Sequence, residues 1–187
     1  MKKKKGFTFI EFIIVLAIIA ILTAVLVPTW GYFLNRARTR QNNATARIVF
    51  NAAQTAVVEM NTNERNLHVA ADQRYVTPTF YFYWNGRTGF RCDSDGNQDT
   101  TANPNSDAIF ADSINRILDH PEYAYKIFVS DNKVEAVSAG RNEGDVYVGV
   151  YPISLQDAED QGMIDGTTHR NIRRGAAVGV PLDQFSV

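Results

Sequence analysis

The chain has 187 residues, with 19 Lys and Arg against 20 Asp and Glu and a formal net charge of −1. That balance excludes a generally basic nucleic-acid binder, though not a local basic patch, and the length suits one apolar anchor plus one domain of about 125 residues. The single cysteine, Cys92, excludes an internal disulfide and reads as a small buried apolar residue.

The first stretch reads Lys2 to Lys5, Gly6, Phe7, Thr8, Phe9, Ile10 and Glu11, and residues 12–34 then carry no charge at all. A run of that length exceeds the roughly 20 apolar residues that cross a bilayer as a helix, the one open-ended structure that satisfies its own backbone there. The four lysines hold the N-terminus in the cytoplasm, so the rest of the chain is exported. Glu11 is the anomaly: a carboxylate deep in the bilayer costs about 2.5 kcal/mol or more and calls for a partner. A cleavable secretory signal has a shorter core and an A-x-A-like exit, which this stretch lacks. A plain signal anchor fits the length but gives the acid no task, and a soluble buried helix fits neither the length nor the flanking charge.

Lys-Lys-Lys-Lys-Gly followed by Phe-Thr-Phe-Ile-Glu resembles the class III signal of type IV pilins and type II secretion pseudopilins. The resemblance covers about residues 1–60. It implies cleavage by a prepilin peptidase between Gly6 and Phe7 and N-methylation of Phe7. It places Glu11 on the family's glutamate, Thr8 on the common threonine and Pro28 on the helix-bending proline. It further implies that Glu11 attracts the free N-terminus of a neighbouring subunit, so that the acid is an assembly device, not a catalyst; a buried charge pair is costly unmatched and register-specific when matched. Ala17, Ala20 and Ala24 offer small-residue positions for close helix approach. The partners implied are other copies of the chain in a homopolymer, the peptidase, the inner-membrane assembly platform and the membrane. The divisions are then a leader at 1–6, a transmembrane and polymerisation helix at 7–34, and the second half of the helix with a globular head at 35–187. Removing the leader takes four lysines and leaves 15 basic against 20 acidic side chains, about −5 before the termini. Many relatives close a C-terminal loop with a disulfide; with Cys92 alone, this chain holds that region in another way.

Pro28 and Gly31 are poor helix-interior residues and predict a bend or a loosened turn. Arg36, Arg38, Arg40 and Arg47 follow, as a membrane-edge anchor or as partners for acidic neighbours. The helix is expected to continue to Glu59 or Asn61, because Ile48, Ala52, Ala56 and Met60, with Val49, Ala53 and Val57 beside them, form one apolar stripe suited to packing beneath a sheet. Asn61, Thr62 and Asn63 break the pattern.

Residues 62–105 are the least regular. Residues 79–84 read as a strand and Asn85-Gly86 as a turn. Asp93, Asp95, Asn97 and Asp99 then stand at alternate positions, an arrangement of oxygens that could wrap Ca²⁺. Gly96 is fourth in that run and no Glu stands at the twelfth place, so the EF-hand pattern is not met, and a hydrated Asx-turn loop is the competing reading. Ser106 reads as the N-cap of a short helix reaching Leu118, with Ile109, Phe110, Ile114, Ile117 and Leu118 on its apolar side. Residues 123–129, 133–139 and 145–151 read as strands joined by short turns, hence an antiparallel meander. A further short helix is expected from Ser154, and His169, Arg170, Arg173 and Arg174 form a basic cluster, read as a solvated face ahead of a DNA contact.

No HExxH, G-x-S-x-G or GxxxxGK occurs, and His68, His120 and His169 have no metal-ligand spacing. An exported, membrane-tethered enzyme is the competing class; it would be active as the domain after residue 34 and indifferent to Glu11. The expectation is an α+β, pilin-like fold, with a long N-terminal helix packed on a small antiparallel sheet. The resemblance implies a structural subunit that polymerises into a type IV pilus-like surface filament serving adhesion, twitching, aggregation or DNA uptake. The alternative is a type II secretion pseudopilin. No cofactor is expected, calcium excepted.

Overall fold

The computed structural model describes residues 8–70, 73–76, 78–93, 96–119, 121–145 and 147–152. Two helices and five strands follow in the order α1 (Phe9–Asn66), β1 (Phe80–Trp84), β2 (Gly89–Cys92), α2 (Pro104–Leu118), β3 (Ala124–Ser130), β4 (Lys133–Gly140) and β5 (Gly149–Tyr151). The strands form one antiparallel sheet in the order β2-β1-β3-β4-β5. This is the α+β, pilin-like fold expected: a long N-terminal helix and a small antiparallel sheet.

The chain divides into two compact units, residues 1–38 and 39–187. In the first, α1 is apolar all round, and its large side chains from Phe9 to Leu26 are exposed. The helical assignment runs unbroken through Pro28 and Gly31. Pro28 still lacks the N–H for one helical rung.

In the second unit, α1 buries a stripe of small residues. Ala46, Val49, Ala53, Ala56 and Val57 are wholly inaccessible, with Ala52 and Met60 nearly so. This is the expected stripe in six of its seven residues; Ile48 is 57% exposed, and Ala46 is buried in addition. The helix also runs past Asn61–Asn63 to Asn66. The Thr62 hydroxyl bonds back to the Val58 carbonyl at 2.8 Å, and Glu64 Oε1 accepts the Tyr75 N–H at 2.8 Å, so this polar turn is anchored rather than frayed. The end is a Schellman closure: His68 is left-handed at φ 57°, its N–H reaches the Arg65 carbonyl, and the Val69 N–H reaches Glu64.

α2 begins two residues before Ser106. Asn103 is the N-cap, its side chain accepting the Asn105 N–H at 3.0 Å, and Pro104 takes the first turn, where its missing N–H costs nothing. Asp119, left-handed at φ 55°, closes the other end. Its inner face carries Phe110 and Ile114, while Ile109 and Ile117 point outward. Phe110 meets Tyr75, Phe80 and Phe82 edge-on or tilted, at centroid separations of 5.6, 6.0 and 5.1 Å.

Strand alternation sorts the sheet residues. Phe80, Phe82 and Trp84 of β1 and Tyr125, Ile127 and Val129 of β3 join the helices in one core. Tyr83, Cys92, Ala124 and Val150 lie in a separate cluster on the opposite face. β3 is buried at every position from Ala124 to Val129, the mark of a strand covered on both sides.

Both sheet edges are short and covered. At β2, the Arg91 carbonyl accepts the Asp99 N–H at 2.8 Å and the Arg91 N–H donates to Asp107 Oδ2 at 3.1 Å. At β5, the Val150 N–H donates to Asn43 Oδ1 at 3.0 Å. The expected strand over 145–151 shortens to three residues, because Asp145 closes the preceding turn instead: its carboxylate accepts the N–H groups of Arg141 and Tyr147 at 2.9 and 3.0 Å. Gly149 is obligatory, since a Cβ there would stand 2.0 Å from the Asn42 carbonyl carbon.

Phe110→Ala is expected to lower unfolding stability by about 3–5 kcal/mol through the cavity it leaves. Urea denaturation followed by tryptophan fluorescence reads this as a lower midpoint at unchanged slope. Ile109→Ala, on the exposed side of the same helix, should stay within about 0.5 kcal/mol of wild type.

Candidate functional site: the N-terminal helix start

Helix α1 opens on a reciprocal cap. Thr8 is the N-cap and Glu11 stands three residues on. The Thr8 N–H and hydroxyl donate to Glu11 Oε2 at 2.8 and 2.7 Å, and the Glu11 N–H points to Thr8 Oγ1 at 3.4 Å. This is a capping box, which satisfies otherwise orphaned donors at a helix start and gains from a negative charge there. Thr-Phe-Ile-Glu is a legible signal for it in the sequence, yet the family likeness assigned Thr8 only a common position and left its bond to Glu11 unseen. The carboxylate that needed a partner has one within its own turn.

Beyond this cap the helix presents its apolar surface outward. No residue of its most apolar 18-residue window is buried within the structure, and the helix is long and apolar enough to cross a membrane. Thr23 does not break this surface, because its hydroxyl donates to the Ile19 carbonyl at 2.7 Å. Gly6 and Phe7 lie outside the described residues, and Pro28 lies within α1. Arg36, Arg38 and Arg40 follow on the exposed surface of the same helix, and the Arg47 guanidinium lies 6.0 Å from the centroid of the Tyr151 ring.

The aspartate-rich loop is folded upon itself. Asp93 accepts the Asn97 N–H at 2.8 Å and the Asn97 amide at 2.9 Å, while its carbonyl accepts the Gly96 N–H at 3.1 Å. Asp99 accepts the Thr101 hydroxyl and N–H at 2.6 and 2.9 Å. The Thr101 side-chain bond, then its backbone bond, holds the Asp99 carboxyl below its usual range. Asp95 lies outside the described residues. Asp93, Asn97 and Asp99 line one open groove of about 600 Å³ with Tyr81 and Arg91. Among the described residues, no three His, Cys, Asp or Glu side chains are grouped as metal ligands. The expected helix from Ser154, together with His120, His169, Arg170, Arg173 and Arg174, also falls outside the described residues.

Two buried polar features carry no advance signal in the sequence. Asp107, on the inner face of α2, accepts the Tyr75 hydroxyl and the Arg91 N–H; the Arg91 guanidinium donates to the Tyr75 carbonyl and lies 3.9 Å from the centroid of the Phe80 ring. Burial first, then Asp107, pushes the Tyr75 phenol upward, so it stays protonated as the donor. The second is Lys126, wholly buried in β3 with its ammonium 4.9 Å from the Tyr81 ring centroid.

Residues 1–27 match the family model of the prokaryotic N-terminal methylation motif, the class III signal of type IV pilins. Residues 1–27 thus carry the signal found at the start of type IV pilin- or pseudopilin-like precursors, on an apolar helix suited to membrane anchoring. No curated protein and no solved structure matches it.

Tyr75→Phe removes one donor from buried Asp107 and is expected to cost about 1–3 kcal/mol. Chemical denaturation measures it, and a loss under about 0.5 kcal/mol, the range of an ordinary surface change, would show that Asp107 is satisfied without Tyr75.

Proposed function

We propose that the chain is a structural subunit, not an enzyme, which polymerises into a type IV pilus-like surface filament after cleavage between Gly6 and Phe7 and N-methylation of Phe7. The observation that supports this reading most directly is the cap at the start of α1. The methylation motif ends in a helix whose first turn holds an ordered carboxylate and whose next turns expose apolar side chains without interruption. Such a surface is stable in lipid. Out of lipid it is stable only when covered, each large side chain being worth about 1.5–3 kcal/mol when fully buried.

In this reading the helix exchanges lipid for the helices of other copies, supported by the small side chains Ala17, Ala20 and Ala24. Glu11 then meets the new α-amino group of a neighbour. Both Thr8 bonds land on Oε2, so the other oxygen can accept a third donor without dismantling the cap. The prepilin peptidase and the inner-membrane assembly platform are the partners this route requires. The precursor is a single-pass membrane protein with a cytoplasmic N-terminus, and its assembled form is extracellular.

The deciding measurement is the intact mass of protein sheared from the cell surface. The expected species begins at Phe7 and carries one added methyl group; an uncleaved chain confined to the membrane would leave only a signal-anchored domain. Gly6→Ala should leave an unprocessed membrane precursor. Glu11→Ala should be processed normally yet yield few fibres, and abundant fibres from that variant would remove the acid from assembly.

A further inference from the structure

Between Glu11 and Glu59 the chain carries no Asp or Glu, yet Arg36 and Arg38 stand in that interval. Both are exposed on α1, and Arg36 makes no ion pair among the described residues. The carboxylates three or four residues away that commonly steady an arginine on a helix are missing here. Arginines on the exported side also run against the usual distribution of charge about a membrane helix. A matching anion has to come from outside this part of the chain.

The depth of the arginines says which anion that is. Residues 12–29 rise about 27 Å along the helix, close to the roughly 30 Å of a bilayer's hydrocarbon core. Trp30, Tyr32 and Phe33 come next and are 64, 71 and 67% exposed. Trp and Tyr gather at membrane–water interfaces, where a ring with an apolar body and a polar tip is suited to both sides. Arg36 stands about 9 Å beyond Trp30, at the outer limit of a headgroup layer roughly 5–8 Å deep. Helix geometry turns it back. Cα–Cβ bonds tilt toward the N-terminus, so the Arg36 side chain leans over the turn that carries Tyr32 and Phe33. At this end of the helix the N-terminal direction is the membrane, and a long cationic side chain so placed snorkels to the interface. A guanidinium meets a phosphate there with two parallel hydrogen bonds. A neighbouring α1 at the same level would bring no carboxylate, having the same acid-free interval.

We propose that Arg36 and Arg38, with Trp30 and Tyr32, form a collar that binds the phosphate headgroups of anionic phospholipids at the exported end of the helix. The collar selects lipids of net negative charge over zwitterionic ones and fixes the depth of α1. It lies wholly within the first compact unit. It rests on the membrane-spanning placement of α1 and not on polymerisation.

The test is quenching of Trp30 fluorescence in bilayers. The full-length chain with Trp84→Phe, which leaves Trp30 as the one tryptophan, is reconstituted in phosphatidylcholine containing a fixed fraction of brominated lipid. That lipid is brominated phosphatidylglycerol in one series and brominated phosphatidylcholine in the other. Should Trp84→Phe unfold the head, the same comparison is made on the intact chain, where buried Trp84 gives a constant background. Lys2 to Lys5 stand at the opposite end of the span and are the same in every sample. Phosphatidylglycerol should be preferred around Trp30 by about fivefold or more, the factor given by about 1 kcal/mol for each basic residue near the surface. Arg36→Gln combined with Arg38→Gln should remove most of that preference, and Arg36→Lys should retain part of it, keeping the charge without the fork. Excess inorganic phosphate should change nothing; displacement by it would assign a soluble anion and overturn the lipid site. Equal quenching by the two brominated lipids, or a preference that survives both glutamine substitutions, would overturn the collar while leaving the helix in the membrane. Trp30 unquenched by either lipid would overturn the spanning placement and the collar together.

Discussion

The fold depends on how closely one helix can approach one sheet. The inner face of α1 is built from Ala46, Ala52, Ala53 and Ala56 between Val49, Val57 and Met60, so little side-chain bulk separates the helix from the strands. The approach is tightest at Gly149, where no side chain fits against the Asn42–Asn43 backbone. There the neighbouring Asn43 side chain reaches the β5 backbone directly. Gln54 does the same further along, accepting the Val134 N–H at 2.9 Å. A bulky helix face would hold the strands too far away for these side-chain-to-backbone bonds, and the aromatic residues of β1 and β3 would lose the floor on which they pack.

That dependence explains what was legible beforehand. The apolar run, the single acid within it and the long helix follow from spacing and charge alone. The buried stripe was found but for Ile48, which is exposed one turn before Ala52, and Ala46, which is buried and was not included. Ser106 is a plausible cap by type, but Pro104 fixes the helix start and makes Asn103 the cap. β2 went unread because Gly-Phe-Arg-Cys is short and lacks alternation; its place comes from pairing with β1, register Phe82 opposite Arg91. Lys126 and Asp107 illustrate a deeper limit. Sequence shows that a residue is polar, whereas burial is decided by strands and helices distant along the chain.

The same contrast separates the two ends of α1. At Thr8 and Glu11 every group involved lies within one turn, so the pattern is local. At the far end, Glu64 holds the Tyr75 backbone across eleven residues, and a locally poor sequence of Asn, Thr and Asn remains helical. Local rules govern the start of the helix, and tertiary contacts govern its far end.

The two sheet edges carry a further consequence. The outward N–H and C=O of Arg91 are both engaged, by Asp107 and Asp99, and the outward N–H of Val150 is engaged by Asn43. β2 and β5 are also only four and three residues long. An incoming strand from another molecule finds little unpaired backbone to extend. The described sheet is therefore guarded at both edges against the strand addition that leads to amyloid. At these two edges, a second molecule would find side chains rather than free backbone to contact, and such side chains can change identity without opening the sheet to strand addition.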